Sequence, residues 1–196
     1  MKPDRAGEAG TTVAEMTVVI ALLSLVLAIS LGSFNSFQSA ASGSDRRVRD
    51  LAEARNMMAV LTKDLRTASA MQAVAGNDVT FLGYLNTTSA TAPPNKVRLY
   101  VDGQGRVFEA ITPPDNPAAN PVTYTGTAST HPLGANVTGA ATLFRYLDSS
   151  GTATTTLTAV RSVTITLTVS SPPSQGVAPT TLSSQVWLPN IAALAP

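Results

Sequence analysis

From Val13 to Leu31 the chain reads VAEMTVVIALLSLVLAISL, nineteen residues with one charged side chain, Glu15. As a helix rising 1.5 Å per residue this run spans about 28 Å, enough to cross the hydrocarbon of a bilayer. Ahead of it lies a polar leader, MKPDRAGEAG, in which Lys2 and Arg5 are balanced by Asp4 and Glu8. A secretory signal peptide is cut after its apolar run, whereas here the small residues Ala9 and Gly10 come before it. Small residues between Ser30 and Ser44 would suit an ordinary signal peptidase, but cleavage there leaves Glu15 without a reason.

An acidic group in an apolar span costs a few kcal/mol at the bilayer centre and less near the interface, so it is kept where it snorkels or where it has a partner. Cutting after Gly10 would create such a partner, the new α-amino group of Thr11. Four residues separate Thr11 from Glu15, which places both on one helical face, and the same pairing can form between adjacent helices in a bundle.

Gly10 followed by TTVAEMTVVIALLSLVLAIS resembles the class III signal of type IV pilins and type II secretion pseudopilins. The resemblance implies a prepilin peptidase that cuts between Gly10 and Thr11 and methylates the Thr11 amine. It also implies that Glu15 makes the assembly salt bridge with the terminus of a neighbouring subunit. Thr11 departs from the bulky apolar residue usual at that position. The partners implied are other pilins or pseudopilins, an inner-membrane assembly platform and the lipid bilayer. The protein would cross the cytoplasmic membrane once, with its C-terminal domain outside the cytoplasm, before entering a pilus or pseudopilus at the cell surface.

After Gly43 and Ser44 interrupt the periodicity, DRRVRDLAEARNMMAVLTKDLRTAS resumes a helical pattern. Leu51, Ala54, Met58, Leu61, Leu65 and Ala68 form one apolar stripe that wants a partner. Arg46, Arg47 and Arg49 are flanked by Asp45 and Asp50 and read as a solvated face. An exported C-terminal side sets this cluster against the positive-inside tendency.

Beyond Ala75 the period changes to 2. Strands are predicted at 79–84, 96–101, 106–111, 141–147, 160–169 and 181–188, with a hairpin turn at Asp102–Gly105. Val163, Ile165, Leu167 and Val169 face one way and Thr164, Thr166 and Thr168 the other, the mark of a half-buried strand. The Pro-rich segments 84–95 and 112–140 are predicted as loops. KDLRTAS, the strands around DGQGR, FRYLDSSG, VRSVTITLTV and TLSSQVWLPN together resemble minor J-type pseudopilins and related minor pilins, with Trp187-Leu188-Pro189-Asn190 in place of a Leu-Arg-Asn ending. The expected fold class is therefore α+β and pilin-like: a long N-terminal helix, membrane-spanning in its first half, packed on an antiparallel sheet. Leu51, Met58, Leu61 and Leu65 are expected against Val163, Ile165, Leu167 and Val169. The expected organisation is a leader at 1–10, a transmembrane and assembly helix at 11–32, its amphipathic extension at 33–75 and a β domain at 76–196.

Composition narrows the chemistry. Of 196 residues none is Cys and one is His, His131, which removes thiol nucleophiles, cysteine-based metal sites and multi-histidine sites within the chain. Thirteen Lys and Arg against twelve Asp and Glu give a net charge of +1 and no general attraction for nucleic acid. Residues 110–196 carry four charges, Asp115, Arg145, Asp148 and Arg161, and are rich in hydroxyl side chains, as suits an extracytoplasmic domain. His131 stands before Pro132 with no carboxylate nearby in sequence and reads as a surface loop residue. The segments at Asp102 and at Asp148–Gly151 read as turns. Asn86-Thr87-Thr88 and Asn136-Val137-Thr138 match a common glycosylation pattern. No catalytic group and no cofactor is expected. Two functions fit: a minor pilin or pseudopilin that joins or primes a filament of a type IV pilus, DNA-uptake or type II secretion system, or an anchored or secreted β domain that binds a ligand such as a glycan.

Overall fold

The computed structural model describes residues 13–85, 92–139, 142–170 and 178–192. A helix, α1, runs Val13–Arg66. Gly43 and Ser44 are helical, contrary to the expected interruption, since one glycine costs only about 1 kcal/mol relative to alanine. The chain divides into two units, one through Ser44 and one from Asp45. In the first, the helical residues from Val13 to Phe34 are exposed. Thr17, Ser24 and Ser36 turn their hydroxyls back onto the carbonyls of Val13, Ile20 and Gly32 at 2.8, 2.7 and 3.0 Å, so these polar groups are satisfied within the helix.

The second unit is α+β, the end of α1 packed on antiparallel sheets. Lys63 and Arg66 in the last turn suit the negative end of the helix dipole. Thr67 then closes the helix, its N–H and hydroxyl both donating to the Asp64 carbonyl at 3.0 and 2.7 Å. The expected extension to residue 75 is corrected here: Ala68–Val74 is a strand, β1. Ala68 and Met71 stay in phase with the helical stripe, so periodicity alone could not mark the change. What decides it is pairing with β2 (Asp78–Gly83), from Ala68 opposite Gly83 to Val74 opposite Val79.

A meander follows, β1-β2-β3-β4-β5, with β3 at Asn95–Val101, β4 at Val107–Thr112 and β5 at Ser129–Gly134. The turn between β3 and β4 is the expected one. Asp102 accepts the N–H groups of Gln104 and Arg106, both at 2.9 Å, and Gly105 has φ +73°. The second sheet contains β6 (Val137–Thr138) and β7 (Phe144–Leu147) along one edge of β8 (Ser162–Val169), and β9 (Thr180–Trp187) along the other. A 3₁₀ turn at Leu157–Ala159 and a short helix, α2, at Pro189–Ala192 lie beside these sheets in the chain.

The strands β5 and β6 lie inside the predicted 112–140 loop, a second correction. STHPLG has no apolar alternation, and Pro132 fits because β5 is an edge strand. The intervening segment is tied by Asp115, which accepts from the Thr125 N–H at 3.0 Å and the Gly126 N–H at 3.1 Å.

One core serves both sheets. Val163, Ile165, Leu167 and Val169 are fully buried, as their alternation requires, with Phe81, Leu99, Leu143 and Leu188. On the helix the buried apolar positions are Ala54, Met57, Leu61 and Leu65, while Met58 is partly buried and Leu51 half-buried outside the core cluster. The stripe is thus rotated from the predicted one, with Met57 in the seam instead of Met58. Outward-facing hydroxyls join β8 to β9, Thr168 to Thr181 at 2.9 Å and Thr166 to Ser183 at 3.4 Å, and the Gln185 amide Nε2 donates to the buried Ser162 Oγ at 3.0 Å.

Candidate functional site

The apolar first half of α1 carries the residue on which the sequence argument turned. Glu15 lies in the first turn, exposed, with Ala14, Val18 and Val19 around it. A carboxylate there meets the positive end of the helix dipole. Met16, Val19, Ile20, Leu23 and Leu27 expose between 53% and 61% of their surface. The helix is long and apolar enough to cross a membrane, by length and composition. Gly10 and Thr11 lie outside the described residues, so the structure places Glu15 but neither end of the predicted cleavage.

The other candidates are placed as follows. His131 is on β5, not in a loop, and is exposed; its Nε2 lies 3.0 Å from Ser129 Oγ. Asp102 also meets Arg106 Nε at 2.7 Å, and Asp148 accepts from the N–H groups of Ser150 and Thr152 at 2.8 and 2.9 Å. Both carboxyls sit below the ordinary range, Asp102 chiefly because of the Arg106 N–H, Asp148 chiefly because of the Ser150 hydroxyl. These are turn-stabilising bonds. Asn136 has φ +61° between β5 and β6, and Asn86 lies outside the described residues. Among the described residues no group of three or more His, Asp or Glu side chains could hold a metal.

Sequence reasoning passed over a pair inside the second unit. Asp64, 2% exposed, stands near Glu109 of β4, and its Oδ2 is buried without a hydrogen-bond partner. Burial first, then the Glu109 charge, pushes its pKa up to about 7, with Lys63 opposing. The signals were there to read: Asp64 falls on the apolar stripe beside Leu65, and Glu109 takes an inward position between Val107 and Ile111. Tyr146, also buried, donates its hydroxyl at 2.8 Å to the Ala75 carbonyl and lies 3.1 Å from that of Asp78, and burial raises its pKa. Both sets of groups lie inside the second unit and read as structural.

No family model matches the chain, and no curated protein or solved structure matches it.

Proposed function

We propose that this chain is a minor pilin or pseudopilin, with a pilin-like fold, that is cleaved between Gly10 and Thr11 and then joins or primes a membrane-rooted filament. One observation carries the reading: a helical apolar run, Val13 to Leu31, whose side chains are all exposed and which holds a single carboxylate five residues after a glycine. In this reading the membrane holds the helix until other subunits replace the lipid around it. The amine of Thr11, methylated or free, is the cation that Glu15 meets in a neighbouring subunit. Such a pair in apolar surroundings attracts more strongly than in water, and leaving either partner alone there is costly. The α+β unit from Asp45 onward then lies outside the cytoplasm, where a hydroxyl-rich surface with few charges is at home.

Intact-mass measurement of the mature protein from membranes tests this. Loss of residues 1–10 supports the proposal, and a Gly10→Leu variant should remain full length. Loss of some 30 to 44 residues, or normal maturation of Gly10→Leu, refutes it in favour of a secreted or simply anchored β domain.

A further inference from the structure

Sheet edges left open are templates for another strand, and most proteins blunt them with charge, proline, shortness or a covering element. Three of the edges here are managed in this way. β1 is flanked by α2 and the 3₁₀ turn, β5 contains Pro132, and one side of β8 is shared by the short strands β6 and β7. β9 is different. Its eight residues, TTLSSQVW, contain neither charge nor proline, its register with β8 is unbroken from Trp187 to Thr180, and no described strand pairs with its other edge.

Beside β9 runs a groove of about 570 Å³ between that strand and the end of α1. Its floor is apolar, from Met58, Ala59 and Leu182, and its rim carries Arg55, Lys63 and Arg66. No carboxylate lines it, and these three cations make no ion pair among the described residues. Leu182 shares a face of β9 with Thr180, Ser184 and the buried Val186. A strand added along β9 would direct alternate side chains toward the same side, over α1, where apolar groups meet the floor and acidic groups meet the rim.

We propose that β9 and this groove accept an extended segment of another polypeptide, alternating apolar and acidic residues, which adds to the second sheet as a further strand. Main-chain hydrogen bonds along β9 supply the general attraction, and the cationic rim selects acidic segments over basic ones. The proposal stands on the second unit alone and does not depend on how the N-terminus is processed.

The test uses the full chain in neutral detergent micelles. The probe is an acetylated, amidated peptide of alternating Val and Glu, matched to β9 in length, with its Val–Lys counterpart as comparison. Hydrogen exchange of the amides from Thr180 to Trp187 reports pairing, and Trp187, the sole tryptophan and 61% exposed, reports occupancy by fluorescence. The Val–Glu peptide should slow exchange of alternate β9 amides by about tenfold or more and saturate, while the Val–Lys peptide should not. The double variant Arg55→Glu/Arg66→Glu, at exposed positions, should stay folded, with a melting point lowered only by the lost helix-end charge of Arg66, and bind the Val–Glu peptide about tenfold more weakly. Equal protection by both peptides overturns the proposal, as does no protection at about 1 mM peptide. It is also overturned if β9 amides on both edges are already slow without peptide, or if anionic lipid vesicles protect them as well as the peptide does.

Discussion

Asp64 of α1 and Glu109 of β4 bring two carboxyl groups together where the helix meets the first sheet, and Asp64 is buried there. Two like charges in one poorly solvated place are avoided by keeping a proton, so the pair resists full ionisation. The folded pKa of Asp64, about 7, lies above its ordinary 3.8, and the folded chain therefore binds more protons than the unfolded one between these values. The associated stability is present below pH 4 and is lost as pH rises through 7.

Asp64→Asn should flatten this dependence. The variant should gain roughly 1–3 kcal/mol over the parent at pH 8 and little at pH 4. Thermal melts at the two pH values check it. A parent whose melting temperature rises steadily from pH 5 to 8, unchanged by the substitution, would show that Asp64 ionises without cost.

The helix register can be tested with two adjacent methionines. Met57 is fully buried and Met58 only partly, so Met57→Ala should cost roughly 2–5 kcal/mol and Met58→Ala about 1 kcal/mol or less. Urea denaturation gives both numbers. The reverse order would restore the stripe through Met58.

Gly105 should not accept a side chain. Its φ of +73° costs any other residue roughly 1–2 kcal/mol, and a Cβ there would collide with the Val137 carbonyl oxygen. The Val137 N–H in turn donates to the Gly105 carbonyl at 3.0 Å, tying the β3–β4 turn to β6. Gly105→Ala should therefore destabilise, whereas Gly103→Ala, with nothing within 4 Å, should be close to neutral. Chemical denaturation of the two variants side by side decides it.

Glu15→Ala should separate maturation from assembly under the proposed function. The variant should reach the parent's mature mass yet fail to crosslink to partner subunits, with Glu15→Gln intermediate because it keeps an acceptor without the charge. Wild-type entry into filaments would show that Glu15 merely snorkels.

The elements most legible in the sequence are those in which a single pattern had no competitor. Val163, Ile165, Leu167 and Val169 alternate with threonines and are buried as they read, and Asp102–Gly105 makes the turn its residues demand. The misreadings share one physical origin, information held in distant partners. Ala68–Val74 keeps the spacing of a helix but becomes a strand because β2 is there to pair with it. Ser129–Gly134 has no alternation because, as an edge strand, it leaves most of its side chains in solvent. In the candidate site, the apolar run and Glu15 were plain from local sequence. Asp64 and Glu109, forty-five positions apart, needed the fold to meet.

The hydroxyl contacts between β8 and β9 have a consequence for how this protein answers its surroundings. Thr166, Thr168, Thr181 and Ser183 do not titrate near neutrality, and their contacts, unlike ion pairs, are not weakened by dissolved ions. The seam between β8 and β9 is thus nearly indifferent to acidity and ionic strength, while rising pH acts on the molecule through Asp64 under the helix. Where the surroundings change in salt or acidity, these two strands stay joined by contacts that neither change touches.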